Sequence, residues 1–118
     1  MTRCEFFTDD SQKQDAIDSS RITGFHVSGH SGYGEAGKDV VCAAVSAIVT
    51  MAETIVNDEL HANAKVKIRE KDSAPSVSLT LPASCDEEDA IQSVLSGMMQ
   101  TLLALQETYP DYIEVLEV

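Results

Sequence analysis

Apolar positions recur with a period of two in several short runs of this chain and with a helical period in two long ones. Arg3 to Phe7 is a short strand candidate. Ile22 to Ser28 is a second, with Phe25 and Val27 on one face and Ile22, Gly24 and His26 on the other. Between them, Thr8 to Ser20 is polar and acidic and reads as a turn or long loop. Val66 and Ile68 alternate with Lys65, Lys67 and Arg69, and Val77, Leu79 and Leu81 with Ser76, Ser78 and Thr80. Turn-forming residues from Asp72 to Pro75 join these two runs as a hairpin. Such one-sided strands predict a sheet with one wet face.

The helical periods lie elsewhere. A first helix is expected from near Lys38 to about Leu60, with Val41, Ala44, Val45, Ile48, Ala52 and Ile55 as its buried stripe. Its β-branched content is high for a helix, but period and length favour one. A second helix starts after Ser84, which forms a capping box with Glu87. Asp86 to Asp89 supply negative charge at the positive helix end. Its stripe is Ile91, Val94, Leu95, Met98, Leu102 and Leu105, and Pro110 stops it. Tyr112 to Val118 is a final strand. The order β-β-α-β-β-α-β predicts an α+β fold, a single domain over residues 1–118 with two helices and a mainly antiparallel sheet.

Composition narrows the function classes. At 118 residues and 43% apolar, the chain can bury one modest core. No apolar run is expected to approach the roughly 20 residues that cross a bilayer, so no membrane partner is implied. The N-terminus has no signal-peptide apolar region. Three cysteines without a CxxC pair make neither a disulfide framework nor a zinc ribbon. Reduced thiols in a bacterial-type cytoplasm fit better. The net charge of −12 opposes direct nucleic-acid binding and favours solubility and basic partners.

The chemistry concentrates between Gly29 and Ser46. His30 ends a strand-like run and Cys42 begins a helix-like one. Gly29, Gly32, Gly34 and Gly37, four of the chain's six glycines, lie between or beside them. A base at a strand end and a thiol in the first turn of a helix make a nucleophilic pair. A helix N-terminus also inclines a thiol toward the reactive thiolate. Asp39, Cys42 and Ser46, at i, i+3 and i+7, share one face of the opening turns. Asp39 either caps the helix or orients His30. Ser46 bonds within the site or back to a helix carbonyl. Free N–H groups at the helix start are candidates to hold an oxyanion. Cys4 and Cys85 have no nearby histidine and read as packing.

Two competing patterns are weaker. Gly32 to Lys38 has the spacing of a phosphate-binding P-loop, but Asp39 stands where a Ser or Thr should bind Mg²⁺, and Glu35 adds a second negative charge. His26 and His30 have the i, i+4 spacing that would suit a metal on a helix. On a strand that spacing spans roughly 13 Å, too far for one ion.

Gly29-His30, followed by Gly37-Lys38-Asp39-Val40-Val41-Cys42-Ala43-Ala44-Val45-Ser46, resembles the signature of the ribosomal-processing cysteine proteases. The tail Tyr109-Pro110-Asp111-Tyr112-Ile113-Glu114-Val115 is similar to that family's last strand, so the resemblance spans most of the chain. The polar stretch Thr8 to Arg21 is longer than the family's usual first hairpin. The resemblance implies a cysteine endopeptidase with Cys42 as nucleophile and His30 as general base, and marks Gly29, Asp39 and Ser46 as supporting motif positions. It implies a substrate, the N-terminal extension of a large-subunit ribosomal protein, and a homodimer. It implies no cofactor and no metal. The alternative is a non-catalytic ribosome-assembly adaptor that keeps the fold for binding.

Overall fold

Even-numbered residues of the first strand point to one side of the sheet: Thr2, Cys4 and Phe6 are all buried there. That row is the floor of the core. The computed structural model describes residues 1–9, 20–29, 36–69 and 75–118; the side chains of 36–39 lie outside that description. Its elements are β1 (Thr2–Asp9), β2 (Arg21–Ser28), α1 (Ala36–Glu53), a π-helical segment (Thr54–Glu59), β3 (Lys65–Arg69), β4 (Ser76–Thr80), α2 (Glu88–Thr108) and β5 (Ile113–Glu117). The expected α+β order β-β-α-β-β-α-β is present, with the π-helical segment continuing α1.

The five strands form one sheet in the order β3-β4-β2-β1-β5. β1 pairs antiparallel with β2 and parallel with β5, and β4 pairs antiparallel with both β2 and β3. Cys4, Phe6, Phe25, Val27 and Leu79 join Val41 and Val45 of α1 and Ile91, Leu95 and Leu102 of α2 in a single apolar cluster. The opposite face carries Arg3, Phe7, Thr80, Lys65 and Lys67, all exposed, and is the wet face the alternation predicted.

One facing differs from expectation. Ile22 is buried along with Phe25 and Val27, not opposite them. The register explains this: Phe7 pairs with Gly24 but Thr8 pairs with Ile22, so Thr23 is an extra residue in the ladder. A bulge of one residue inverts the parity of everything before it. Gly24 beside it is held close to β4, where an added Cβ would run into the Leu79 carbonyl.

The helices also differ in detail. Along α1 and its π continuation the buried residues are Val41, Val45, Val49, Ala52 and Val56, while Ile48 is only partly buried. The stripe is therefore turned slightly from the predicted one. By length and composition Val40–Glu59 could cross a membrane, at mean hydropathy 1.8, contrary to the sequence expectation. Its valine row instead packs into the core. The capping box is absent. α2 begins at Glu88 with Glu87 at its N-cap and no side-chain cap bond, and Ser84 is exposed before it. Glu88 is drawn elsewhere: its carboxylate accepts from Arg21 Nε at 2.8 Å, tying α2 to the start of β2.

Candidate active site

Where the N-terminal half of α1 crosses the sheet, a cleft of about 250 Å³ remains open. Each of its walls follows from an element. β1 contributes Thr2, the end of β2 contributes Val27 and Gly29, and α1 contributes Cys42, Val45 and Ser46. The β3–β4 hairpin closes the far side with Ile68, Arg69, Ser76 and Val77. The cleft is thus mainly apolar, with Cys42, a few hydroxyl-bearing residues and one arginine among those that line it.

Cys42 is half-buried and is the cysteine that lines this cleft. Its Sγ lies 3.6 Å from the Thr2 hydroxyl, within hydrogen-bond range for sulfur. α1 begins at Ala36, earlier than expected, so Cys42 stands in its second turn. This corrects the expectation of a thiol in the first turn. The free N–H groups belong to the first four helical residues, and the dipole's influence fades beyond the first turn. Direct help from the helix end is correspondingly reduced at Cys42.

Ser46, one turn on, is exposed and shares the cleft with Cys42, so the predicted common face holds for this pair. Gly29 has φ +100, a backbone region open to glycine, and any Cβ there would run into the Met1 carbonyl and come within 3.1 Å of the Thr2 Cα. This glycine therefore lets the end of β2 press against the start of β1, directly beside the cleft. His30 and the loop residues Gly32 and Gly34 lie outside the described residues. So does the side chain of Asp39, whose backbone is helical. The P-loop pattern falls largely on the same stretch.

The other expected bystanders are placed clearly. His26 pairs across from Glu5 and Ser78, on the face opposite Cys42. Cys4 is fully buried, and burial pushes its thiol up to about 12. Cys85 is partly buried beside Arg21, and burial, with the Glu88 charge, raises its thiol as well. Among the described residues, no group of three or more His, Cys, Asp or Glu is arranged to hold a metal ion.

Sequence reasoning missed two cleft residues. Thr2 was not singled out because a threonine in the first strand position carries no motif. Arg69 was read only as the polar alternate of a strand. Only the folded arrangement of the β3–β4 pair beside α1 shows that the end of β3 borders the cleft.

The fold matches solved structures over the whole chain. A Streptococcus mutans protein superposes with a TM-score of 0.82 at 18% identity, covering 100% of this chain and 94% of that one. The ribosomal processing protease Prp from Staphylococcus aureus, solved in complex with a substrate peptide, gives 0.75 at 19% identity, with 100% of both chains covered. The same protease with a covalently linked product peptide gives 0.73 at 21%, again with 100% of both chains covered. At these identities the likeness is one of fold. A comparison with curated proteins yields no match. The family model of cysteine protease Prp matches residues 1–114, and by that near-complete match the chain belongs to the Prp cysteine protease family.

Proposed function

We propose that this protein is a cytoplasmic endopeptidase in which Cys42 is the nucleophile and His30 the general base. Its substrate is the N-terminal extension of a large-subunit ribosomal protein. The observation that carries the reading is the conjunction of family and place: in a chain of the cysteine protease family, Cys42 is the cysteine at the open cleft, while Cys4 is sealed in the core. The related Staphylococcus aureus protease, solved with a substrate peptide and with a product peptide, supports a peptide as substrate class.

In this mechanism His30 takes the Cys42 proton and the sulfur attacks the scissile carbonyl carbon. The tetrahedral oxyanion is held by backbone N–H groups near the start of α1. It collapses as His30 returns the proton to the leaving amine. Water, deprotonated by His30, then hydrolyses the thioester and frees Cys42. Gly29 adjoins His30 in sequence. Asp39 orients His30 and does not cap α1, since it already lies inside a helix that starts at Ala36. Ser46 adds a hydrogen-bonding group to the cleft. The chemistry needs no cofactor. A homodimer belongs to this reading, and Val40 and Met51, exposed on α1, support a covered helix face.

The test is incubation with a synthetic peptide bearing the extension and its junction, read by mass. Two fragments are expected from the native protein and none from Cys42→Ala, which should stay folded and still bind the peptide. Undiminished cleavage by folded Cys42→Ala would remove Cys42 from the mechanism. A peptide bound but left intact by the native protein would favour the adaptor alternative.

A further inference from the structure

The row Thr2, Cys4, Phe6 faces the core, and its other members are fully buried and non-polar in character. Position 2 would pack equally well as a valine. It is instead a threonine, only 5% exposed, and the polar residue among the described buried set. A hydroxyl withdrawn from water costs free energy unless it is bonded. The partner the structure provides is the Cys42 Sγ at 3.6 Å.

That contact is held from both sides. The Thr2 N–H donates to the Tyr112 carbonyl at 2.9 Å, and Thr2 pairs with Ile113 of β5. Gly29 presses against the Thr2 Cα from the other flank. The hydroxyl therefore sits on a fixed piece of backbone, while Cys42 sits on a different element, α1.

We infer that Thr2 is a positioning residue for the nucleophile, its hydroxyl fixing the Cys42 sulfur over the cleft and donating to it once the proton has left. This inference rests on the reading of Cys42 as nucleophile. A hydroxyl suits both states of the sulfur. It accepts from the neutral S–H, and it rotates to donate to the thiolate, which can only accept. Hydrogen bonds to an ionised partner are the stronger kind, so the net preference is for the thiolate. The contribution matters more because Cys42 stands beyond the first turn of α1, where the helix end gives limited help. The charged residue among the described ones that line the cleft is Arg69 of β3, which stands in the ladder on the same face as Arg3, Lys65 and Lys67. The described linings from β1, β2, α1 and β4 carry no charge. Arg69 is common to native and variant proteins and cancels in their comparison.

The experiment measures the pH dependence of Cys42 alkylation by iodoacetamide, resolved by peptide mass, in the native protein, Thr2→Val and Thr2→Ser. Thermal midpoints confirm folding. Thr2→Val keeps the shape and removes the hydroxyl. Its labelling midpoint should rise by roughly half to one pH unit, with labelling near neutrality about 3- to 10-fold slower. Thr2→Ser should follow the native profile. If Thr2→Val disturbs the β1 register, Thr2→Ala serves in its place. A folded variant lacking the hydroxyl but showing the native profile overturns the inference. So does Thr2→Ser displaced as far as Thr2→Val, since the hydroxyl would then not be enough and the fit of the whole side chain would be what matters. The two readings fail separately: retained cleavage by Cys42→Ala sinks the nucleophile, whereas an unmoved profile sinks only the role of Thr2.

Discussion

At the scale of single residues, His26 of β2 and His30 offer the sharpest contrast. His26 projects from the sheet face opposite the cleft, between Glu5 and Ser78 in the ladder. His30 follows in sequence Gly29, a residue of the cleft wall. Loss of a general base costs a factor on the order of 10²–10⁴ in rate. His30→Ala should therefore lose cleavage on that scale, and His26→Ala should stay close to native. Peptide-cleavage rates for both folded variants check this. Equal losses in the two would break the assignment of the base. Cys42, Gly29 and Ser46 were legible beforehand because they stand at fixed spacings in a run of chemically distinctive residues. Thr2 was not, because its role depends on α1 crossing β1, a contact between residues far apart in the chain.

Elements were legible where periodicity alone decides them, and less so where a local hydrogen bond competes. The strands of the β3–β4 hairpin and the stripe of α2 follow directly from period-two and helical spacing. The inverted facing of Ile22 required the bulge at Thr23, and a bulge leaves no mark on the apolar pattern. The π-helical segment was equally silent in the sequence. There Leu60 N–H reaches the Ile55 carbonyl at 2.8 Å, and Asn57 clamps both the N–H and the C=O of Ala64, at 2.8 and 3.1 Å. The start of α2 shows the competition best. Ser84 and Glu87 have capping-box spacing, yet the ion pair of Glu88 with Arg21 and the bond from Arg21 to the Pro82 carbonyl at 2.9 Å hold the preceding turn in another path. A serine that caps a helix costs about 1 kcal/mol to replace with alanine. Ser84 does not cap, so Ser84→Ala should fall within about 0.5 kcal/mol of native in urea unfolding. A loss near the full capping value would show that Ser84 does act as the cap.

For the whole molecule, the arrangement of charge and of buried thiols sets the response to pH. The chain carries −12 overall, yet Lys65, Lys67 and Arg69 all stand exposed on β3, an edge strand of the sheet. Charged side chains on an edge discourage pairing with another chain. The core answers to pH through Cys4. Its thiol is fully buried between the sheet and the helices, and burial lifts it from the ordinary 9.0 to about 12. Between those values the unfolded chain releases the proton and the native chain keeps it. The native state then holds more protons than the unfolded one, so stability falls as pH rises above about 9. The slope from one such group is at most about 1.4 kcal/mol per pH unit. Cys4→Ala removes the group; it also leaves a cavity and lowers stability at every pH, but that offset does not change the slope. The remaining ionisable groups are the same in both proteins and cancel in the difference. Urea unfolding in reducing buffer from pH 8.5 to 10.5 should therefore show the native protein losing stability more steeply than Cys4→Ala, by about 1 kcal/mol per pH unit. Parallel slopes would mean that water reaches Cys4 in the folded protein and that the seal between β1 and the helices is looser than this packing describes.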